Sequence, residues 1–228
     1  MKLFQKPTPN ETVFGAIYFI LQLLIVPAIV VLVNMLLPEP FSEAESNFVF
    51  FAINFIVVTL IFRKFLSANF KAALAKPWYT LRCAGIGLGM YFAGNIIFSL
   101  LITCVDPDFA NLNDMSIMDM VQENFALMTI GTVLLVPVVE ESFYRGLIFR
   151  NLYEKSPVLA YGLSMVLFSA AHVMAYVTVV DWSTLLLCFL QYLPAGFALA
   201  WSYRRSGSIF ASVLIHMSVN QIGMLAMR

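Results

Sequence analysis

Charge is what this sequence has least of. Only 11% of its 228 residues are Asp, Glu, Lys or Arg, against 61% hydrophobic, and mean hydropathy is +0.87. A water-soluble domain carries roughly 25% charged residues, so too little polar surface exists here to coat a globule in water. Net charge is zero and no basic stripe alternates with aromatics, which excludes nucleic acid as an expected partner. Cysteine is nearly as sparse: Cys83, Cys104 and Cys188 stand singly in or beside apolar runs. An odd, scattered set forms neither a disulfide framework nor a CxxC metal site. They read as small packing residues.

What remains is apolar sequence in long runs, several exceeding the ~20 residues that span a bilayer as helix. The hydropathy pattern predicts an all-α, polytopic helix bundle with spans near 12–37, 48–66, 81–104, 125–149, 157–180, 183–203 and 207–227. The whole chain, 1–228, is expected to be a single domain embedded in a lipid bilayer. The first run is too long for a signal-peptide core and no small-x-small site follows it, so it reads as a retained span. With this alternation, every Lys and Arg except Arg228 falls on one side, beginning with Lys2 and Lys6. The positive-inside rule then places the N-terminus in the cytoplasm and the C-terminus outside.

Two local features carry structural expectations only. Gly85, Gly89 and Ala93 recur every four residues, the small-residue spacing that lets helices approach closely in lipid. After Ser116, "SIMDMVQE" reads as a short interfacial helix, with Ser116 and Asp119 in capping-box spacing. Pro137 is expected to free the Val133 carbonyl and kink the fourth span.

Against this background the intramembrane polar residues stand out, because each is costly there and marks a site by default. "VVEESFYRGLIF" holds Glu140, Glu141 and Arg145; "FSAAH" ends in His172; "HMSVN" contains His216 and Asn220. Both histidines of the chain lie within spans. Glu141 and Arg145, four apart with the acid first, predict an ion pair on one helix face; Arg145 could also snorkel to the interface. Glu140 points about 100° away from Glu141 and needs another donor or a water. Counting 1.5 Å per residue from a turn near Ser156 places Glu140 and His172 level, each about 24 Å in.

HExxH and GxSxG are absent. A Glu with a His can activate water, while a second His with an Asn can donate to an oxyanion. Alternatively, Glu140, His172 and His216 could hold Zn²⁺ as a two-His-one-Glu set. Both routes end in amide hydrolysis, with a peptide or membrane-protein segment as substrate. A proton-coupled transporter and a non-catalytic immunity or binding protein are the alternatives.

The three motifs "EESFYRG", "FSAAH" and "HMSVN" resemble the EExxxR, FxxxH and HxxxN/D motifs of the CAAX-protease and bacteriocin-processing (CPBP or Abi) family of intramembrane proteases. They occur in the family's order within a motif-bearing core at 125–227. The resemblance implies that Glu140 and His172 activate the attacking water, that His216 and Asn220 stabilise the oxyanion, and that Glu141 and Arg145 support the site. For cofactor it implies either none or Zn²⁺. Seven spans and a short chain suit a bacterial member in the cytoplasmic membrane, for which prenylated substrates are not expected. The roles implied are peptide maturation, regulated cleavage or self-immunity to bacteriocins.

Overall fold

The computed structural model describes residues 4–228, so Lys2 lies outside the described residues. These residues are 86% helix, with no strand among them. Ten α-helices are formed: α1 (Pro9–Leu36), α2 (Glu43–Ile61), α3 (Arg63–Ala75), α4 (Pro77–Val105), α5 (Leu112–Thr129), α6 (Val136–Glu141), α7 (Arg150–Tyr153), α8 (Pro157–Val173), α9 (Trp182–Ser206) and α10 (Ile209–Ala226). Wider π-helical segments at Ile130–Leu135 and Ser142–Phe149 join α5, α6 and α7 into one continuous rod, the site helix. Seven helical units are long and apolar enough to cross a membrane, as the hydropathy pattern predicts.

The outer helices are built for lipid. The most apolar window of α1 has a hydropathy of 2.8, yet only 11% of it is buried by protein. Exposed Leu24, Leu36, Ile96 and Leu100 on α1 and α4 would be a severe liability in water. Burial concentrates instead in the site helix, α9 and α10.

Caps fix where the helices begin. Thr8 and Glu11 form a capping box at α1, as Ser42 and Glu45 do at α2. Glu11 does more. Its Oε1 accepts the Lys64 and Phe65 backbone N–H groups, both at 2.9 Å, at the otherwise uncapped start of α3. One carboxylate therefore ties α1 to α3 while satisfying donors that a helix end leaves orphaned. Asn69 on α3 in turn accepts the Ile209 N–H at 2.9 Å and its carbonyl receives the Ser208 hydroxyl at 2.8 Å. Gly207, at φ 80°, closes α9 through its N–H to Tyr203 O, so α9 and α10 are joined by a minimal turn.

Two expectations are corrected. Gly85 and Gly89 meet nothing within 4 Å, and Ala93 is exposed. The close approach uses the adjacent face: a Cβ on Gly87 would collide with Ser202, and one on Gly94 would lie 2.6 Å from Pro194 Cβ. Both faces of α4 carry small residues, and only the packing against α9 chooses between them. Ser116 likewise lies inside α5 rather than at its start. Asn111 is the cap, its Oδ1 accepting the Asn113 and Asp114 N–H groups at 3.0 and 3.2 Å.

Candidate active site

The site is organised by irregularities in one helix. Asn124 breaks α5 with φ −151° and ψ 86°, and its Oδ1 caps the next stretch of helix by accepting the Leu127 N–H at 3.1 Å. The membrane part of the rod thus starts at 125, although the helix is continuous in outline. From Ile130 the hydrogen bonds run i→i−5, as in Val136 N–H to Gly131 O. The next acceptor in that register is Thr132 O, whose donor would be the N–H that Pro137 lacks. Asn220 Nδ2 from α10 supplies it, 2.8 Å away. The carbonyl freed by Pro137 is therefore that of Thr132, not Val133, because the helix is locally π rather than α.

This arrangement predicts a reciprocal pair of effects. Asn220→Ala orphans a buried carbonyl and should cost about 1–3 kcal/mol. Adding Pro137→Ala restores a backbone donor for Thr132 O and should recover part of that loss. Thermal midpoints of wild type, both single variants and the double variant in one detergent measure the coupling. Strictly additive effects would overturn the reading.

Beyond Pro137, Glu141 and Arg145 are completely buried. Arg145 Nε lies 3.1 Å from Glu141 Oε2, giving the expected ion pair, though without hydrogen-bond alignment. Arg145 does not reach the interface. Its guanidinium donates to Gly196 O on α9 at 3.3 Å and sits 4.6 Å over the Phe168 ring on α8. Close packing there uses Gly196, where any Cβ would press on Met165. A partner not legible in the sequence completes the pair: Glu141 Oε1 meets His216 Nδ1 at 3.0 Å.

This contact orients His216. With Nδ1–H donated to the carboxylate, its Nε2 points toward Glu140, 3.9 Å from Oε2. That separation is too long for a hydrogen bond and leaves both groups able to address one small molecule beside them. Glu140 Oε2 is buried and has no hydrogen-bond partner among the described residues. His172 is oriented differently. Its Nδ1 lies 2.8 Å from Phe168 O, and because a carbonyl only accepts, Nδ1 carries the proton and Nε2 keeps its lone pair. The ring is held by stacking on Tyr192, centroids 4.3 Å apart, and Tyr192 is itself anchored through its hydroxyl to Asn111 Oδ1.

The predicted site residues fall around two adjoining cavities. His172, His216 and Asn220 line one of about 60 Å³, with Tyr91 and Tyr192. Glu140 lines the other, of about 190 Å³, with Gln22 and Asn54 from α1 and α2. Glu140 and His172 do not share a cavity; His216 connects them. Gln22, Asn54, Tyr91 and Tyr192 are neutral polar residues that a search for charge in apolar spans passes over.

The metal alternative can be set against the donors present. Among the described residues no three His, Cys, Asp or Glu side chains converge on a common point. The set Glu140, His172 and His216 does not fit a Zn²⁺ ion in this arrangement.

Comparison with known proteins falls on the same part of the chain. Residues 122–222 match the family of type II CAAX prenyl endopeptidases, Rce1-like. The matched region contains Glu140, Glu141, Arg145, His172, His216 and Asn220. It excludes α1 to α4, which contribute Gln22, Leu23, Phe50, Phe51, Asn54 and Tyr91 to the walls of the two cavities. The chain is also 33% identical over 109 residues to a Bacillus subtilis (strain 168) protein named "Putative membrane peptidase YdiL". That likeness covers 47% of this chain and 40% of the relative's length. No solved structure matches.

Proposed function

We propose that the chain is an intramembrane endopeptidase of the cytoplasmic membrane, with its N-terminus in the cytoplasm, that hydrolyses peptide bonds by glutamate-driven activation of water. The observation that carries this reading is the pairing of Glu140, a part-buried carboxylate whose buried Oε2 has no hydrogen-bond partner among the described residues, with a histidine whose far nitrogen is fixed by a second carboxylate. The CAAX-endopeptidase match and the membrane-peptidase relative support the same class of reaction.

In this mechanism Glu140 accepts a proton from water as the oxygen attacks the substrate carbonyl, and His172 Nε2 accepts a hydrogen bond that orients the water. His216, oriented by its contact with Glu141, donates through Nε2 to the developing oxyanion. Asn220 has a second amide N–H beyond the one spent on Thr132 O and adds to that stabilisation. Collapse of the intermediate breaks the C–N bond, and the Glu140 proton passes to the leaving amine. Arg145 neutralises the remaining Glu141 charge and keeps the couple from drifting. No step requires a metal.

The test uses purified protein in lipid nanodiscs with a peptide library in ¹⁸O-labelled water. New C-termini each carrying one ¹⁸O are expected, at a rate unchanged by exhaustive chelation. Absence of any peptide product would sink the protease reading. Loss of activity on chelation, restored by zinc, would sink its metal-free form.

A further inference from the structure

The larger cavity holds a feature that the hydrolytic mechanism does not use. Gln22, on α1, is 9% exposed and makes no hydrogen bond among the described residues, yet it lines the cavity beside Glu140. Its neighbour Asn54 is satisfied, accepting the Tyr18 hydroxyl at 3.1 Å and donating to Phe50 O at 2.8 Å. The carboxamide atoms of Gln22 are not sealed off like the buried oxygen of Glu140, so they stay open to a guest, and a peptide group offers the donor and acceptor they lack. The remaining wall, from Leu23, Phe50, Phe51, Val139 and Phe143, is apolar.

We propose that this cavity is a substrate subsite in which Gln22 pairs with a backbone peptide group while a single unmodified, large apolar side chain next to the scissile bond fills the space behind it. The inference rests on the protease reading for its place in a reaction, but not for its geometry. Size supports the assignment. An apolar cavity of about 150 Å³ accommodates a benzene ring, so about 190 Å³ suits a Leu, Met or Phe side chain. A farnesyl chain, with more than twice the carbons of benzene, overfills it. Position supports it too, since Glu140 belongs to the same wall and a residue seated there has its peptide bond at the carboxylate.

The probe is an acetylated, amidated hexa-alanine peptide with one central photo-leucine, irradiated with the full-length protein in nanodiscs and mapped by mass spectrometry. Labelling is expected at residue 23 and within 50–54. An otherwise identical peptide with central Phe should compete, whereas all-alanine peptide and N-acetyl-S-farnesylcysteine should not. Gln22→Leu should weaken labelling roughly three- to tenfold, the loss of one hydrogen bond, and Leu23→Trp should narrow the cavity and shift preference toward smaller side chains. Labelling elsewhere, indifference to both substitutions, or equal competition by the alanine peptide would overturn the subsite, even if peptides are cleaved. Competition by the farnesyl compound would overturn its size limit. Labelling as expected with no cleavage of any peptide would instead remove the protease reading and leave the subsite standing.

Discussion

Glu140→Gln is expected to fold as the wild type does and to lose about 10²–10⁴ in kcat, the range of general acid–base catalysis. Stability should be spared because Glu140 Oε2 has no hydrogen-bond partner whose loss would be felt. The substitution keeps the shape of the side chain and removes its ability to accept a proton from water. KM should change little, since the carboxylate acts on water rather than anchoring the peptide. The measurement is steady-state cleavage alongside a thermal melt in the same detergent. Wild-type turnover from Glu140→Gln would remove the general base from the mechanism and, with it, the reading of the site.

The second large effect concerns Arg145. Replacing it by Met leaves Glu141 fully buried without the guanidinium that faces its Oε2. Breaking a buried pair by removing one partner costs about 3–5 kcal/mol, a large share of a typical domain's stability. Arg145→Met should therefore lower the thermal midpoint sharply and reduce the yield of folded protein. Adding Glu141→Gln removes the stranded charge, so the double variant should regain much of that stability. Activity should not return with it, because His216 then faces a neutral amide and loses the carboxylate that orients it. Recovery of turnover with recovery of the fold would show that Glu141 serves only to pack.

Much of this architecture is legible in the sequence, and the reasons are specific. Seven spans follow from run length alone, because hydrocarbon thickness sets helix length without reference to neighbours. Glu141 with Arg145 follows from i,i+4 spacing, a property of one helix. The contacts between helices are out of reach. Nothing local to residues 141 and 216 announces their hydrogen bond, and nothing in the glycines of α4 says which face meets α9. The Thr132 carbonyl escapes for a subtler reason: Pro137 marks a gap in any helix, but the residue left without a donor depends on whether the turn is α or π. The amphipathic α3 reads as connection, since its buried face amounts to Phe65 and Asn69 and its other residues are ordinary for a basic loop.

The widened turns at 130–135 and 142–149 bear on how this enzyme-like helix could be lost or regained. A π turn accommodates one residue more than the α-helix around it, and an ideal α-helix advances about 100° per residue. Deleting one residue within 130–135 would let ordinary i→i−4 bonds close, with no loss of hydrophobic length. A deletion within 136–139, where no widened turn can take it up, would instead turn Glu140 and Glu141 by about 100° relative to the segment that carries Thr132. Thr132 and Glu140 could then no longer both face the side of α10 that carries Asn220 and His216. The aim of the carboxylates is thus stored as a residue count, and the smallest possible indel is enough to erase it.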